Sequence, residues 1–120
     1  MRGLGELESA VMDTVWSAGT PVNVREVLEA LRPERQLAYT TVQTVLDKLH
    51  RKGFLTRVKD GRAFRYQATE SREERTAQLL RELLDESPDS GAVLLHFARS
   101  VSAEESKVLR GALDDEGPRR

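Results

Sequence analysis

The segment from Ala38 to Tyr66, AYTTVQTVLDKLHRKGFLTRVKDGRAFRY, constrains the fold more than any other part of the chain. Val42, Val45, Leu46 and Leu49 recur at helical spacing, which predicts one amphipathic helix with a single buried face. At about 100° per residue, the opposite face carries Thr40, Thr44, Asp47 and Arg51, with Gln43 and Lys48 on its flanks. The helix starts near Ala38 or Tyr39, or slightly later with Thr40 or Thr41 as the cap. Gly53 predicts its end, just after Arg51 and Lys52, where cations suit the negative end of the helix dipole. Two short strands follow, Phe54 to Lys59 and Arg62 to Thr69, around Asp60-Gly61, a strong hairpin signal. In the return strand Phe64, Tyr66 and Ala68 alternate with Ala63, Arg65 and Gln67, so the aromatic rings share one side.

Helix, glycine stop and basic hairpin are the layout of a winged helix-turn-helix. From Lys48 to Tyr66 there are seven cations, Lys48, Arg51, Lys52, Arg57, Lys59, Arg62 and Arg65, against one anion, Asp60. Hydroxyls and an amide come first along the helix and cations gather later, which suits a helix that meets base edges first and phosphates afterwards. Thr40, Thr41, Gln43 and Thr44 are therefore the expected base-reading residues. Tyr39, Lys48, Arg51, Lys52, Lys59, Arg62 and Arg65 are the expected contacts to the DNA backbone, with Tyr39 equally able to stack or pack. Asp47 sits awkwardly near phosphates; pairing with Arg51 at i, i+4 or a place beyond the groove would accommodate it.

The preceding chain supplies the rest of such a domain. Leu4 to Ala18 predicts a first helix with a stripe of Leu4, Leu7, Val11, Val15 and Ala18, Met12 and Trp16 beside it, and Gly19 as its stop. Trp16 reads as core or core rim. Asn23 with Glu26 forms a capping pattern for a second helix that buries Val24, Val27, Leu28 and Leu31 and ends before Pro33. The link from Pro33 to Leu37 is short enough for the steep crossing of a helix-turn-helix.

Beyond the hairpin, Ser71 to Glu74 and Ser102 to Glu105 are capping boxes for helices at about 72–86 and from 103 to about 114. A short apolar helix, Ala92 to Ser100, lies between them after the breaker Glu86 to Gly91. The DDEGPRR end is expected to fray. Three helices in about 50 residues cannot bury so much leucine by themselves. Leu80, Leu83, Leu84, Leu94, Leu95, Phe97, Leu109 and Leu113 are the expected dimerisation surface; packing back onto the first helix is the alternative. A dimer sets two recognition helices about one DNA turn apart, roughly 34–36 Å or a multiple. The expected organisation is thus a DNA-binding domain over 1–70 and a helical dimerisation region over 71–120. The fold class is mainly α with a small two- to three-stranded β wing.

Composition removes several classes. Cysteine is absent, so disulfides, thiolate metal sites and cysteine nucleophiles are out. His50 and His96, the two histidines, are far apart in sequence, and no metal site or cofactor is expected. No nucleophile–base pairing or glycine-rich phosphate loop is visible, so the chain does not read as an enzyme. No signal peptide or bilayer-spanning run is seen, which points to a cytoplasmic protein without membrane insertion. The net charge of −1 hides an asymmetry: residues 1–70 hold eleven Lys and Arg against nine Asp and Glu, a balance of +2, and residues 71–120 hold eight against eleven, a balance of −3. The first part is the one suited to an anionic partner. The near-neutral total motivates the competing reading, a winged helix that binds protein.

The stretches LGELESAVMDTVW, QLAYTTVQTVLDKLHRKGFL, VKDGRAFRYQAT and LLHFARSVSAEESKVLRGAL occur in an order that resembles the penicillinase and methicillin-resistance repressors, the BlaI/MecI family grouped with the copper repressor CopY. The resemblance covers most of the chain. It implies a homodimeric repressor of bacterial operators with TACA/TGTA half-sites, paired through its C-terminal helices, with double-stranded DNA as partner. It places Thr40, Thr41, Gln43 and Thr44 in the family's base-reading segment and Arg62 at the wing tip. It also implies an antibiotic-responsive branch in which a membrane-bound sensor protease triggers cleavage in the dimerisation region. The family's cleaved pair is Asn-Phe; the matching pair here is His96-Phe97, which keeps the phenylalanine and lacks the asparagine. The paired C-terminal cysteines of the copper branch are missing.

Overall fold

The computed structural model describes residues 3–116, Glu116 through its backbone alone. Residues 117–120, the end of the segment expected to fray, lie outside the described residues. The elements are α1 (Glu6–Ala18), α2 (Val24–Leu31), α3 (Tyr39–Arg51), β1 (Leu55–Asp60), β2 (Ala63–Ala68), α4 (Arg72–Glu86), α5 (Ser90–Ser100) and α6 (Ala103–Glu116). They divide into two compact units, residues up to Gln78 and residues from Leu79.

In the first unit three helices close around one core. Val11, Met12 and Val15 of α1, Val27 and Leu28 of α2, and Val42, Leu46 and Leu49 of α3 are all buried. Leu55 and Tyr66 bring the hairpin onto the same cluster. The α1 stripe is rotated from its expected position: Glu8, Val11, Met12 and Val15 are buried, whereas Ala18 is exposed and Leu4 and Leu7 are only partly covered. Helix α2 follows expectation closely. Asn23 accepts from the Glu26 amide at 2.8 Å and Glu26 accepts from the Asn23 amide at 3.0 Å, so two end groups are satisfied reciprocally. Helix α3 begins at Tyr39 after Ala38, which offers no side-chain cap. It ends as Gly53 takes a left-handed φ of 88°, a conformation that costs glycine nothing.

The hairpin differs by one residue from its expected turn. Asp60 pairs with Ala63, so the two-residue loop is Gly61-Arg62, not Asp60-Gly61. Gly61 at φ 64° occupies the first central position and Arg62 has negative φ, the pattern of a type II′ turn. The third strand is reduced to one residue: Val22 exchanges backbone hydrogen bonds with Tyr66 at 2.9 and 2.7 Å. That bridge fixes the α1–α2 connection to the wing.

The start of α4 belongs to the first unit. Ser71 and Glu74 exchange capping hydrogen bonds at 2.9 and 3.0 Å. The Trp16 indole donates to the Glu70 carbonyl at 3.0 Å, and the Arg72 guanidinium lies 5.5 Å from the Trp16 ring centre. Trp16 is thus a half-buried rim residue.

The second unit comprises the rest of α4 with α5 and α6. Helix α5 starts at Ser90, earlier than expected, because Asp89 accepts from the Ala92 amide at 3.0 Å and caps it. Ser102 and Glu105 form the expected box on α6 at 2.8 and 3.1 Å. No described residue of α4, α5 or α6 is buried. Leu80, Leu83, Leu94, Leu95, Phe97, Leu109 and Leu113 are each 44–61% exposed, and Leu84 is half-buried. Leu80, Phe97, Val101, Val108 and Leu109 line an open apolar hollow of about 350 Å³. No helix among the described residues is long and apolar enough to cross a membrane.

One ion pair ties the ends of α1 and α3 together. The Lys52 ammonium lies 3.1 and 2.9 Å from the two carboxylate oxygens of Glu8, the buried acid of α1. The Gly5 amide, donating at 2.9 Å, and Lys52 hold the Glu8 carboxyl below its usual range, against burial, which raises it. An acid lowered on folding contributes stability above its ordinary value of 4.5 and loses that contribution as pH falls through its folded value. Glu8→Gln should therefore be less stable than the parent at neutral pH and show a shallower loss on acidification. Urea unfolding between about pH 7 and about pH 3 measures both; parallel acid limbs would contradict this role for Glu8.

Candidate nucleic-acid interface

Helix α3 packs by one face, and its other face is bare. Val42, Leu46 and Leu49 are completely buried, while Thr40, Thr41, Gln43, Thr44, Lys48 and Arg51 are exposed. The four residues expected to read bases thus lie together on the first half of one solvent-facing surface. The Thr44 hydroxyl donates to the Thr40 carbonyl at 2.8 Å, so its proton is used within the helix while its lone pairs and methyl face outward. The outward chemistry of this row is hydroxyl, methyl and carboxamide, the groups that meet base edges in a major groove.

The expected cations separate into two sets. Lys48, Arg51, Lys59 and Arg62 are exposed and make no ion pair among the described residues. Lys48 and Arg51 continue the row along α3, Lys59 stands on β1, and Arg62 forms the turn of the hairpin. Lys52 and Arg65 are used internally. Lys52 is held by Glu8. Arg65 donates to Asp60 at 2.8 Å, to Glu26 at 2.9 Å and to the Pro21 carbonyl at 3.2 Å. Arg65 therefore ties the wing to the start of α2, with its charge balanced by two carboxylates. The sequence pattern counts it as a phosphate contact because it clusters with the other cations about the turn; its partners Glu26 and Pro21 are visible only in three dimensions.

Asp47 pairs with the wing and not with Arg51. It is half-buried and points to the wing. One oxygen, Oδ1, accepts from the Arg57 guanidinium of β1 at 3.0 Å and from the Tyr66 hydroxyl of β2 at 2.7 Å. Arg57 also lies 4.1 Å from the centre of the Phe64 ring, and Phe64 meets Tyr66 edge to face at 6.5 Å. Burial, then the Asp47 bond, push the Tyr66 phenol above its usual pKa, so it stays a donor throughout the neutral range. Tyr66 is 1% exposed and belongs to the core, as the alternation of β2 implied.

Tyr39 is exposed at the first turn of α3, and the guanidinium of Arg25 lies 5.7 Å from its ring centre. Arg25 escapes a sequence reading because nothing in its spacing distinguishes a solvated arginine on α2 from one placed beside α3. His50 is half-buried and His96 exposed, and no group of three or more potential metal ligands occurs among the described residues.

Comparison with known proteins agrees with this geometry. The family model described as Penicillinase repressor matches residues 4–115. Transcriptional regulator BlaI of Mycobacterium tuberculosis (strain ATCC 25618 / H37Rv) is 47% identical over 113 residues, covering 92% of this chain and 82% of that protein. Among solved structures, the DNA-binding domain of the repressor BlaI is 29% identical, with a TM-score of 0.53 over 60% of this chain and 87% of that one. Streptococcus pneumoniae FabT, solved in complex with DNA, has a TM-score of 0.51 over 95% of this chain and 73% of that one; at 22% identity the likeness is one of fold alone. The BlaI match runs through both units, and the chain belongs to the penicillinase repressor family, a family of transcriptional repressors and not of enzymes.

Proposed function

We propose that this chain is a homodimeric transcriptional repressor that occupies a palindromic operator of TACA/TGTA half-sites in the bacterial cytoplasm. The observation that carries the reading is the bare row Thr40, Thr41, Gln43, Thr44 on a helix whose opposite face is completely buried. Such a helix can enter a groove without unpacking its own domain. A glutamine amide matches adenine, and threonine methyls match the thymine methyl, so the row suits half-sites built largely of A·T pairs.

In this reading Tyr39, Lys48, Arg51, Lys59 and Arg62 meet phosphates on either side of the groove. Lys52 and Arg65 act from within, by holding α3 and the wing in place. The region over 71–120 pairs two copies through Leu80, Leu83, Leu84, Leu94, Leu95, Phe97, Leu109 and Leu113. That no described residue of α4, α5 or α6 is fully buried supports this, because apolar helices of this length need a second surface to be stable. Family membership supports a repressor of the β-lactam-responsive type. Release by cleavage in the dimerisation region would fall at His96-Phe97, which lacks the asparagine of the family's cleaved pair and so calls for a protease of different specificity. Both residues are exposed in the middle of α5, so cleavage requires local unwinding of that helix.

Gln43→Ala and Thr44→Ala should each weaken operator binding by about 1–3 kcal/mol and leave random-sequence binding nearly unchanged. Titration against both duplexes measures this, and equal losses on the two would refute base reading. Lys59→Ala and Arg62→Ala should weaken binding to all sequences and lower the slope of log K against log salt by about 0.9 for every phosphate no longer neutralised. Unchanged DNA binding in both variants would favour a winged helix that binds protein. Leu94→Glu combined with Phe97→Glu should convert a sedimenting dimer to a monomer; a persistent dimer would contradict pairing through this surface.

A further inference from the structure

A carboxylate on the DNA-facing helix of a repressor is an electrostatic liability, since it repels phosphate and cancels a nearby cation. Asp47 does both: it lies one turn beyond Gln43 and Thr44, and it neutralises Arg57. Its geometry shows what it does instead. A single oxygen gathers one donor from each strand of the wing, Arg57 from β1 and Tyr66 from β2. Asp47 is thus a polar link from the side of α3 to both wing strands. The other wing attachments lie elsewhere: Val22 bridges to Tyr66 through the backbone, and Arg65 reaches Glu26 and Pro21 at α2. The Phe64 ring, 4.1 Å from the Arg57 guanidinium, packs against it beside Asp47.

We propose that Asp47 is a positioning residue that sets the angle between the base-reading row of α3 and the wing tip at Arg62, so that both engage one half-site in register. The inference rests on the DNA-binding reading above and adds a specificity determinant that touches no DNA. A rigid angle lets base contacts and phosphate contacts be satisfied together only on the matching sequence. A loose one lets the wing find phosphates on any duplex.

The test compares Asp47→Ala with Asp47→Asn in the full chain, each titrated against a TACA/TGTA palindrome and a scrambled duplex. Both variants remove a negative charge and leave Arg57 unneutralised, so both should bind scrambled DNA at least as tightly as the parent. Asparagine keeps an Oδ1 acceptor for Arg57 and Tyr66, and alanine keeps none. Asp47→Ala should therefore lower the palindrome-to-scrambled ratio by about fivefold or more, while Asp47→Asn retains most of it. Tyr66→Phe, which removes one of the two donors and leaves the charges in place, should lower the ratio part of the way; it carries the test if Asp47→Ala does not fold. If Asp47→Ala and Asp47→Asn shift both duplexes by the same factor, Asp47 acts through charge alone and the proposal is overturned. A parent protein with no preference for the palindrome would instead overturn the operator reading itself.

Discussion

Helix α3 is held by one face only, and the rest of the structure follows from that constraint. Val42, Leu46 and Leu49 are completely buried in the core shared with α1, α2 and the hairpin, so apolar area anchors that face of the helix. The exposed residues at the start of the helix are released from packing duty. Thr40, Thr41, Gln43 and Thr44 can then present side-chain polar groups that no other described residue uses, apart from the local Thr44 to Thr40 bond. A helix anchored on two faces could not be offered to a groove.

The wing and the ends of the helices are held by a different kind of contact. Glu8 with Lys52 and Glu26 with Arg65 join elements far apart in sequence, Asp47 with Arg57 and Tyr66 joins α3 to both wing strands, and Asp60 with Arg65 spans the hairpin itself. The Glu8 and Asp47 pairs lie partly out of water, where an ion pair with additional hydrogen bonds is worth more than on an open surface; the Arg65 pairs are exposed and worth less. They also divide the charge of the basic segment. Cations that are paired shape the domain, and those without an ion pair among the described residues, Lys48, Arg51, Lys59 and Arg62, face solvent. A count of lysines and arginines alone overstates the second group.

Much of this is legible in the chain because the signals are local. The buried face of α2 and its Asn23–Glu26 box, the buried positions of α3, the stop at Gly53 and the boxes at Ser71 and Ser102 all depend on spacing within one or two turns. The misses share a physical cause. The turn slips by one residue because Asp60-Gly61 and Gly61-Arg62 both satisfy a two-residue hairpin, and strand register decides between them. Val22, Asp47 and Arg65 each find partners that sequence spacing cannot show, 44 residues away for Val22 and Tyr66 by backbone pairing. Asp89 caps α5 early because Asp-Ser-Gly reads equally as a breaker and as a helix start. For the second unit the sequence indicates an apolar surplus, and the structure shows those side chains exposed.

The central claim is that the bare row on α3, offered twice by a dimer, reads a palindrome. The direct measurement is the binding isotherm of the unaltered chain on a duplex carrying the full TACA/TGTA palindrome, on one carrying a single half-site, and on a scrambled duplex. The account predicts tightest binding to the palindrome with two chains per duplex, weaker binding to the half-site, and the weakest binding to scrambled DNA, all steepening as salt is lowered. Equal affinity for the three duplexes would contradict it.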